Sequence, residues 1–218
     1  MNNILVSVPT FLEIAPLLKL FSINPPTKHS NEIINIKFNN RNIDILITGI
    51  GIMQTSYYLT KAIINNNYAI AINMGIAGCK NANIKNGEVV EVIKENFADF
   101  GIIKSNKFYS IDEYFENEPY CLDIELVNNS PVSNLPKVTG RTVNTLDYDI
   151  LNLKSTEYFD IETMEGAAFF HVCIKENIKF ASIRAISNRI GIHDKSKWNT
   201  GEAINNMSKV IYNLILNL

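Results

Sequence analysis

The segment Glu162-Thr163-Met164-Glu165-Gly166-Ala167-Ala168 sets carboxylates at the start of a helix of small residues. Carboxylates in a first helical turn favour the helix dipole, so a purely structural account exists. The small residues also let something pack closely, and a partly buried Glu165 wants hydrogen-bond donors, which sugar hydroxyls supply. Arg184 interrupts the apolar run Phe180–Ile186, where a charge needs a partner. Glu165 on the preceding helix is the expected one. Asn188 follows, either as a turn residue or as an amide offering a donor and an acceptor. Glu13 stands three residues after Thr10, the spacing of a capping box, which would leave it in solvent. Gly75-x-x-Gly78 offers a ligand bare backbone at the end of a strand.

These residues need elements to hold them. Ile4–Val8 reads as a buried strand, and Thr10 caps a helix that follows it. Ile33–Phe38 and Ile43–Thr48 read as a hairpin around the turn Asn39–Asn42. Gly49-Ile50-Gly51 leads into a helix over about Gln54–Ile64. It is not a dinucleotide fingerprint, since the third glycine is missing. Ala69–Met74 and Val89–Ile93 are further strands. Phe97–Pro136, rich in aromatic and acidic residues, reads as an excursion that becomes a lid or an interface. A strand at Lys137–Gly140, a short helix near Leu146–Leu153 and a strand near Tyr158–Ile161 follow. Then come a helix from Met164 to Asn177, a strand at Phe180–Ser187 and a last helix from Thr200. The alternation predicts one α/β domain over residues 1–218: three layers, α/β/α, around a mixed, twisted central sheet. Ligands in such folds sit at loops beyond strand ends. Here those are Pro9–Glu13, Gly49–Gly51, Gly75–Gly78, Gly140–Thr145, Thr163–Gly166 and Ser187–Trp198.

Composition narrows the partners. The 218 residues carry 20 basic and 22 acidic side chains and are 46% hydrophobic, which argues against a disordered chain and against a nucleic-acid binder. No apolar run reaches the roughly 18 residues of a membrane span, and Met1-Asn2-Asn3 lacks the basic start of a signal peptide, so a cytoplasmic protein is expected. Cys79, Cys121 and Cys173 are too far apart for a metal or redox pair, and His29, His171 and His193 make no ligand pattern. No metal and no cofactor are expected. The absence of Gly-x-Ser-x-Gly counts against an α/β-hydrolase triad.

Asn73-Met74-Gly75-Ile76-Ala77-Gly78, Thr163-Met164-Glu165-Gly166-Ala167-Ala168 and Arg184-Ala185-Ile186-Ser187-Asn188, in this order behind an N-terminal strand and Glu13, resemble the nucleoside phosphorylase and nucleosidase family. The resemblance runs from Ile4 to Leu218. It implies a sheet twisted toward a partly closed barrel, with a purine nucleoside bound at strand ends. It also implies that Glu165 binds the ribose hydroxyls with Met164 under the sugar, that Glu13 activates water, and that Asn188 faces the purine N7 edge. Thr163, Arg184 and Ser187 belong to the same binding set. Ile76 stands where many nucleosidases have Ser and serves as a wall beside Ala77 and Gly78. Val143 and Asn144 fall near the segment that sandwiches the base.

Two departures from the family pattern point to a branch. Phosphorylases carry Gly-Asp-Pro-x-Arg after the first strand; Ser7-Val8-Pro9-Thr10-Phe11-Leu12-Glu13 offers no cation to a phosphate dianion, so water is the expected nucleophile. Adenosine-type nucleosidases have Asp where this chain has Asn188, and an amide suits a 6-oxopurine, whose departing charge it can stabilise without being an acid. Val8-Pro9-Thr10-x-x-Glu13, Glu162–Ala167 and Ser187-Asn188 ahead of Trp198 look most like the futalosine hydrolase branch, which releases hypoxanthine in menaquinone biosynthesis. The alternatives are a methylthioadenosine/S-adenosylhomocysteine or aminofutalosine nucleosidase, a purine nucleoside phosphorylase, and a nucleoside-binding protein without catalysis. The family resemblance also implies a homodimer or larger homo-oligomer. A substrate carboxylate would meet Arg189, His193, Lys195 or Lys197, and Trp198 either stacks on an aromatic ring or anchors its loop.

Overall fold

The computed structural model describes residues 3–24, 33–105, 107–115, 125–129, 131–146, 158–192 and 194–218. Strand β1 (Asn3–Val8) alternates its side chains between two buried faces. Ile4, Val6 and Val8 join one apolar cluster while Leu5 joins another. Such a strand, covered on both sides, reads as a continuous apolar run. Strands β3 (Arg41–Ile47) and β4 (Ile70–Cys79) flank it in parallel, and β2 (Ile33–Phe38) forms the outer edge. The β2–β3 turn is tighter than expected. Asn39 and Asn40 alone make it, both at positive φ (46° and 60°), the two-residue turn that matches strand twist.

On its other side β4 pairs in parallel with β11 (Phe180–Arg189), followed by β5 (Val89–Asn96), β9 (Lys137–Thr142) and β10 (Ile161–Thr163). Strand β10 then pairs antiparallel with β4 itself, Ile161 opposite Cys79 and Glu162 opposite Gly78. Strands β4, β11, β5, β9 and β10 thereby close a ring, the partial barrel that the family resemblance implies. Helix α1 (Phe11–Leu20) covers one face of the sheet with α5 (Thr200–Asn217); α2 (Ile52–Asn65) and α4 (Gly166–Lys175) cover the other. Three layers around a mixed sheet result.

Several expected boundaries move. Gly75–Gly78 is not a loop: β4 runs through it, because β11 and β10 supply hydrogen-bond partners there. Likewise β11 includes Asn188 and Arg189, and β9 extends to Thr142. The strand expected at Tyr158–Ile161 begins only at Ile161; Asp160, just ahead of it, uses its carboxylate to accept from the Thr139 N–H within β9 (2.9 Å). The excursion after Phe97 holds a small hairpin, β6 (Gly101–Lys104) with β7 (Lys107–Ser110), the short helix α3 (Ile111–Tyr114), and β8 (Glu125–Val127) on β5. The helix expected near Leu146–Leu153 lies, apart from Leu146, outside the described residues, as do His29, Cys121 and His193. No helix among the described residues is long and apolar enough to cross a membrane.

Candidate active site

At the mouth of the ring the ends of β4, β10 and β11 meet the start of α1 around a cavity of about 400 Å³, the size of a small-ligand site. Glu13 arrives from the first turn of α1. Thr10 caps that helix as expected, its hydroxyl accepting from the Glu13 N–H (3.4 Å). The carboxylate, however, is not in solvent. It is 5% exposed and faces the cavity, accepting from the Thr10 hydroxyl (2.5 Å) and the Ile76 N–H (3.0 Å). A buried carboxylate held by two donors and open to a cavity has the arrangement of a base.

Glu165 faces the same cavity from the junction of β10 and α4. It is the N-cap residue of α4 but makes no capping bond; instead it accepts from the Gly51 N–H (2.9 Å). The turn Gly49-Ile50-Gly51 thus has a second use: Gly51, at φ +94°, presents its N–H to this carboxylate. Burial raises the Glu165 carboxyl above its ordinary range, against the charge of Arg184 and the Gly51 N–H, while the charge of Glu13 pushes it further up.

Arg184 is fully buried on β11 and corrects one expectation. It makes no direct pair with Glu165: Nε, Nη1 and Nη2 have no hydrogen-bond partner among the described residues. Its cross-strand neighbour is Gly75, and a β-carbon there would overlap Arg184 Nη1 and lie 3.2 Å from Glu13 Oε1. The strand register therefore lays the guanidinium across bare backbone beside Glu13. It reaches Glu165 through space rather than by contact.

Asn188 owes its orientation to an irregularity. The β11–β4 register slips between Ile186 and Asn188, leaving Ser187 as an extra residue. The Ser187 hydroxyl, 3.2 Å from the Ala77 carbonyl, donates to Asn188 Oδ1 at 2.7 Å, and Asn188 Nδ2 donates to the Arg189 carbonyl at 2.9 Å. A carbonyl can only accept, so Nδ2 must be the atom beside it, and the flipped amide is excluded. The second Nδ2 hydrogen has no bond to another described residue.

Ile76, Ala77, Gly78, Thr163, Met164, Ser187 and Asn188 all line the cavity with Glu13 and Glu165. Arg184 lies behind it. Val143 and Asn144 do not line it: Val143 is buried against Ala98, and Asn144 donates twice to Asp99 (2.7 and 2.9 Å). Leu146, just beyond them, reaches the cavity instead. Of the cations after Asn188, Arg189 is committed to the carbonyls of Asn81 (2.6 Å) and Ile84 (2.7 Å), and Lys197 lies 3.8 Å from Asp194. Lys195 is the one cation lining the cavity among the described residues. Trp198 fits both of its expected roles, since its indole N–H anchors the Ile192 carbonyl (2.7 Å) while the residue lines the cavity. Glu162 also lines the cavity and pairs with Arg141 at 2.8 Å.

Sequence reasoning missed Glu95. It is fully buried on β5, and burial pushes its carboxyl up to about 7 against the pull of Arg184, Thr142 and Thr163. The available signal was a glutamate in a strand of valines. A register slip at Ile93 in the β5–β9 pairing spoils the alternation count that would have placed it.

Known proteins share the fold of this chain. A family model described as the phosphorylase superfamily matches residues 147–216. A futalosine hydrolase from Thermus thermophilus is 28% identical over 179 residues, covering 78% of this chain and 80% of that protein. Among solved structures, a futalosine hydrolase mutant of Helicobacter pylori superposes with a TM-score of 0.84 at 15% identity over 100% of both chains. A Helicobacter pylori 5′-methylthioadenosine/S-adenosylhomocysteine nucleosidase holding butyl-thio-DADMe-Immucillin-A superposes equally well, with a TM-score of 0.84 at 15% identity over 100% of this chain and 99% of that one. At such identity the structural likeness is one of fold. Over residues 147–216 the chain is thus similar to the phosphorylase superfamily, and over most of its length to a futalosine hydrolase.

Proposed function

We propose that the protein is a futalosine hydrolase: it cleaves the N-glycosidic bond of futalosine with water, giving hypoxanthine and dehypoxanthine futalosine in menaquinone biosynthesis. The carrying observation is the convergence of Glu13, Glu165 and the fixed Asn188 amide on one small cavity. The Thermus relative supports the choice of substrate.

The C1′–N9 bond breaks with its electron pair leaving on the purine, and the sugar passes through an oxocarbenium-like state. Glu165 binds the ribose hydroxyls, and its negative charge stabilises that cation. Glu13 takes a proton from the water that attacks C1′. The spare Asn188 N–H faces the purine edge where charge builds, and Met164 lies under the sugar. Lys195 meets the carboxylate of the futalosine side chain. Arg184 keeps Glu13 and Glu165 in a positive field from behind the cavity. Phosphate finds no arginine on the described lining, which favours water over phosphorolysis.

The protein acts in the cytoplasm as a homodimer or larger homo-oligomer. Support comes from Leu12, Ile50, Met53 and Tyr57, each more than half exposed, on and beside α1 and α2. The second reading is an adenine nucleosidase, favoured by the equally good superposition on the Helicobacter nucleosidase. The deciding experiment incubates the protein with futalosine, aminofutalosine and methylthioadenosine without phosphate and identifies the released base. Hypoxanthine from futalosine as the preferred product is expected; preferential release of adenine overturns the assignment.

A further inference from the structure

Glu95 plays no part in the reaction above, yet the sequence devotes four residues to seating it. A β-carbon on Gly140 would lie 2.5 Å from Glu95 Oε1, and one on Gly166 would overlap the same atom, so both neighbours must be glycine. Thr142 Oγ1 donates to Glu95 Oε2 at 3.0 Å, and Thr163 Oγ1 donates to Oε1 at 3.4 Å. The same hydroxyls accept the first two peptide N–H groups after Glu165: Gly166 N–H donates to Thr163 (3.1 Å) and Ala167 N–H to Thr142 (2.7 Å). An N–H cannot accept, so each hydroxyl must accept from the helix and direct its single proton elsewhere. The two hydroxyls also lie 3.2 Å from each other and can pass only one proton between them, so Glu95 must accept at least one of the two. Helix α4 is therefore capped by two threonines whose direction the Glu95 carboxylate sets, and the residue at its N-cap is Glu165.

We propose that Glu95 is a positioning residue that holds Glu165 in place for the sugar, acting through Thr142, Thr163 and the first turn of α4. The inference rests on the reading of Glu165 as the ribose-binding group. Its test is the affinity for formycin B, a C-nucleoside analogue of inosine whose carbon–carbon glycosidic link is not hydrolysed. Binding is measured by calorimetry for the native protein, Glu95→Gln, Glu165→Gln and the double variant, with melting temperatures alongside. Glu95→Gln is expected to weaken binding about tenfold without lowering the melting temperature at pH 8. Added to Glu165→Gln it should change affinity less than about twofold, because it acts through that residue. Near-native affinity of Glu95→Gln, or its full loss multiplied onto that of Glu165→Gln, overturns the proposal and leaves the sugar-binding reading standing. Near-native affinity of Glu165→Gln overturns both. Should Glu95→Gln not fold, Thr142→Val and Thr142→Ser carry the test: weakened binding with valine and recovery with serine are expected, and equal behaviour of the two overturns it.

Discussion

A carboxyl pushed up to about 7 by burial makes the native protein pay for its ionisation at neutral pH, and Glu95→Gln should remove that penalty. The sign follows from proton counting. The folded pKa exceeds the ordinary 4.5, so the native state binds more protons than the unfolded chain between those values, and stability falls as pH rises through that window. That rise corresponds to roughly 3 kcal/mol. Arg184 and the two threonines oppose this rise without cancelling it. The glutamine amide keeps one acceptor for Thr142 and loses the other for Thr163, a cost of about 1 kcal/mol. The variant should then be more stable than the native protein by about 2 kcal/mol at pH 8, or roughly 4–8 °C in melting temperature for a chain of this size. Near pH 5 the advantage should vanish. Thermal melts of both proteins at pH 5 and pH 8, at equal ionic strength, read the effect. Glu91, Asp160 and Asp194, whose pKa values are lowered, act in the opposite sense but occur in both proteins and cancel. A Glu95→Gln protein less stable than native at pH 8, or a difference that does not change with pH, refutes the reasoning. Greater stability together with weaker nucleoside binding would mark the residue as kept for function.

Glu13→Gln should lower kcat about 10²–10³-fold on futalosine with little change in KM, since a base acts in the transition state; steady-state kinetics check this. Asn188→Asp should shift the kcat/KM ratio toward adenine-bearing substrates. A carboxyl oxygen facing the Arg189 carbonyl is disfavoured as an anion and retains its proton, the state of an acid that can protonate an adenine; an unchanged ratio between aminofutalosine and futalosine refutes this. Lys195→Met should raise KM for futalosine about two- to fivefold, as fits an exposed ion pair, and leave KM for inosine, which lacks the side-chain carboxylate, unchanged. Equal changes for both substrates would remove Lys195 from substrate recognition.

The sequence by itself determined the layers and most of the residues that line the cavity. Strands such as Ile4–Val8 and Phe180–Ile186 are apolar on both faces, and only a sheet covered on two sides buries them; side-chain type and short-range spacing carry that information. Glu165, Arg184, Asn188 and the Thr10 cap were legible for the same reason, because a charge in an apolar strand or a capping residue is a local anomaly. What these groups touch was decided by tertiary structure. Glu13 turns into the cavity because the Ile76 N–H, 63 positions away, stands there to meet it. Arg184 passes over Gly75 rather than pairing with Glu165 because the β11–β4 register puts them side by side. Asn188 has one amide orientation because a bulge at Ser187 turns it toward the Arg189 carbonyl. The family resemblance placed Val143 and Asn144 beside the base, but neither lines the cavity, because Val143 packs on Ala98 and Asn144 bonds Asp99. Register slips and ring closure depend on pairings between segments 20 to 110 residues apart, and no window of sequence contains both partners.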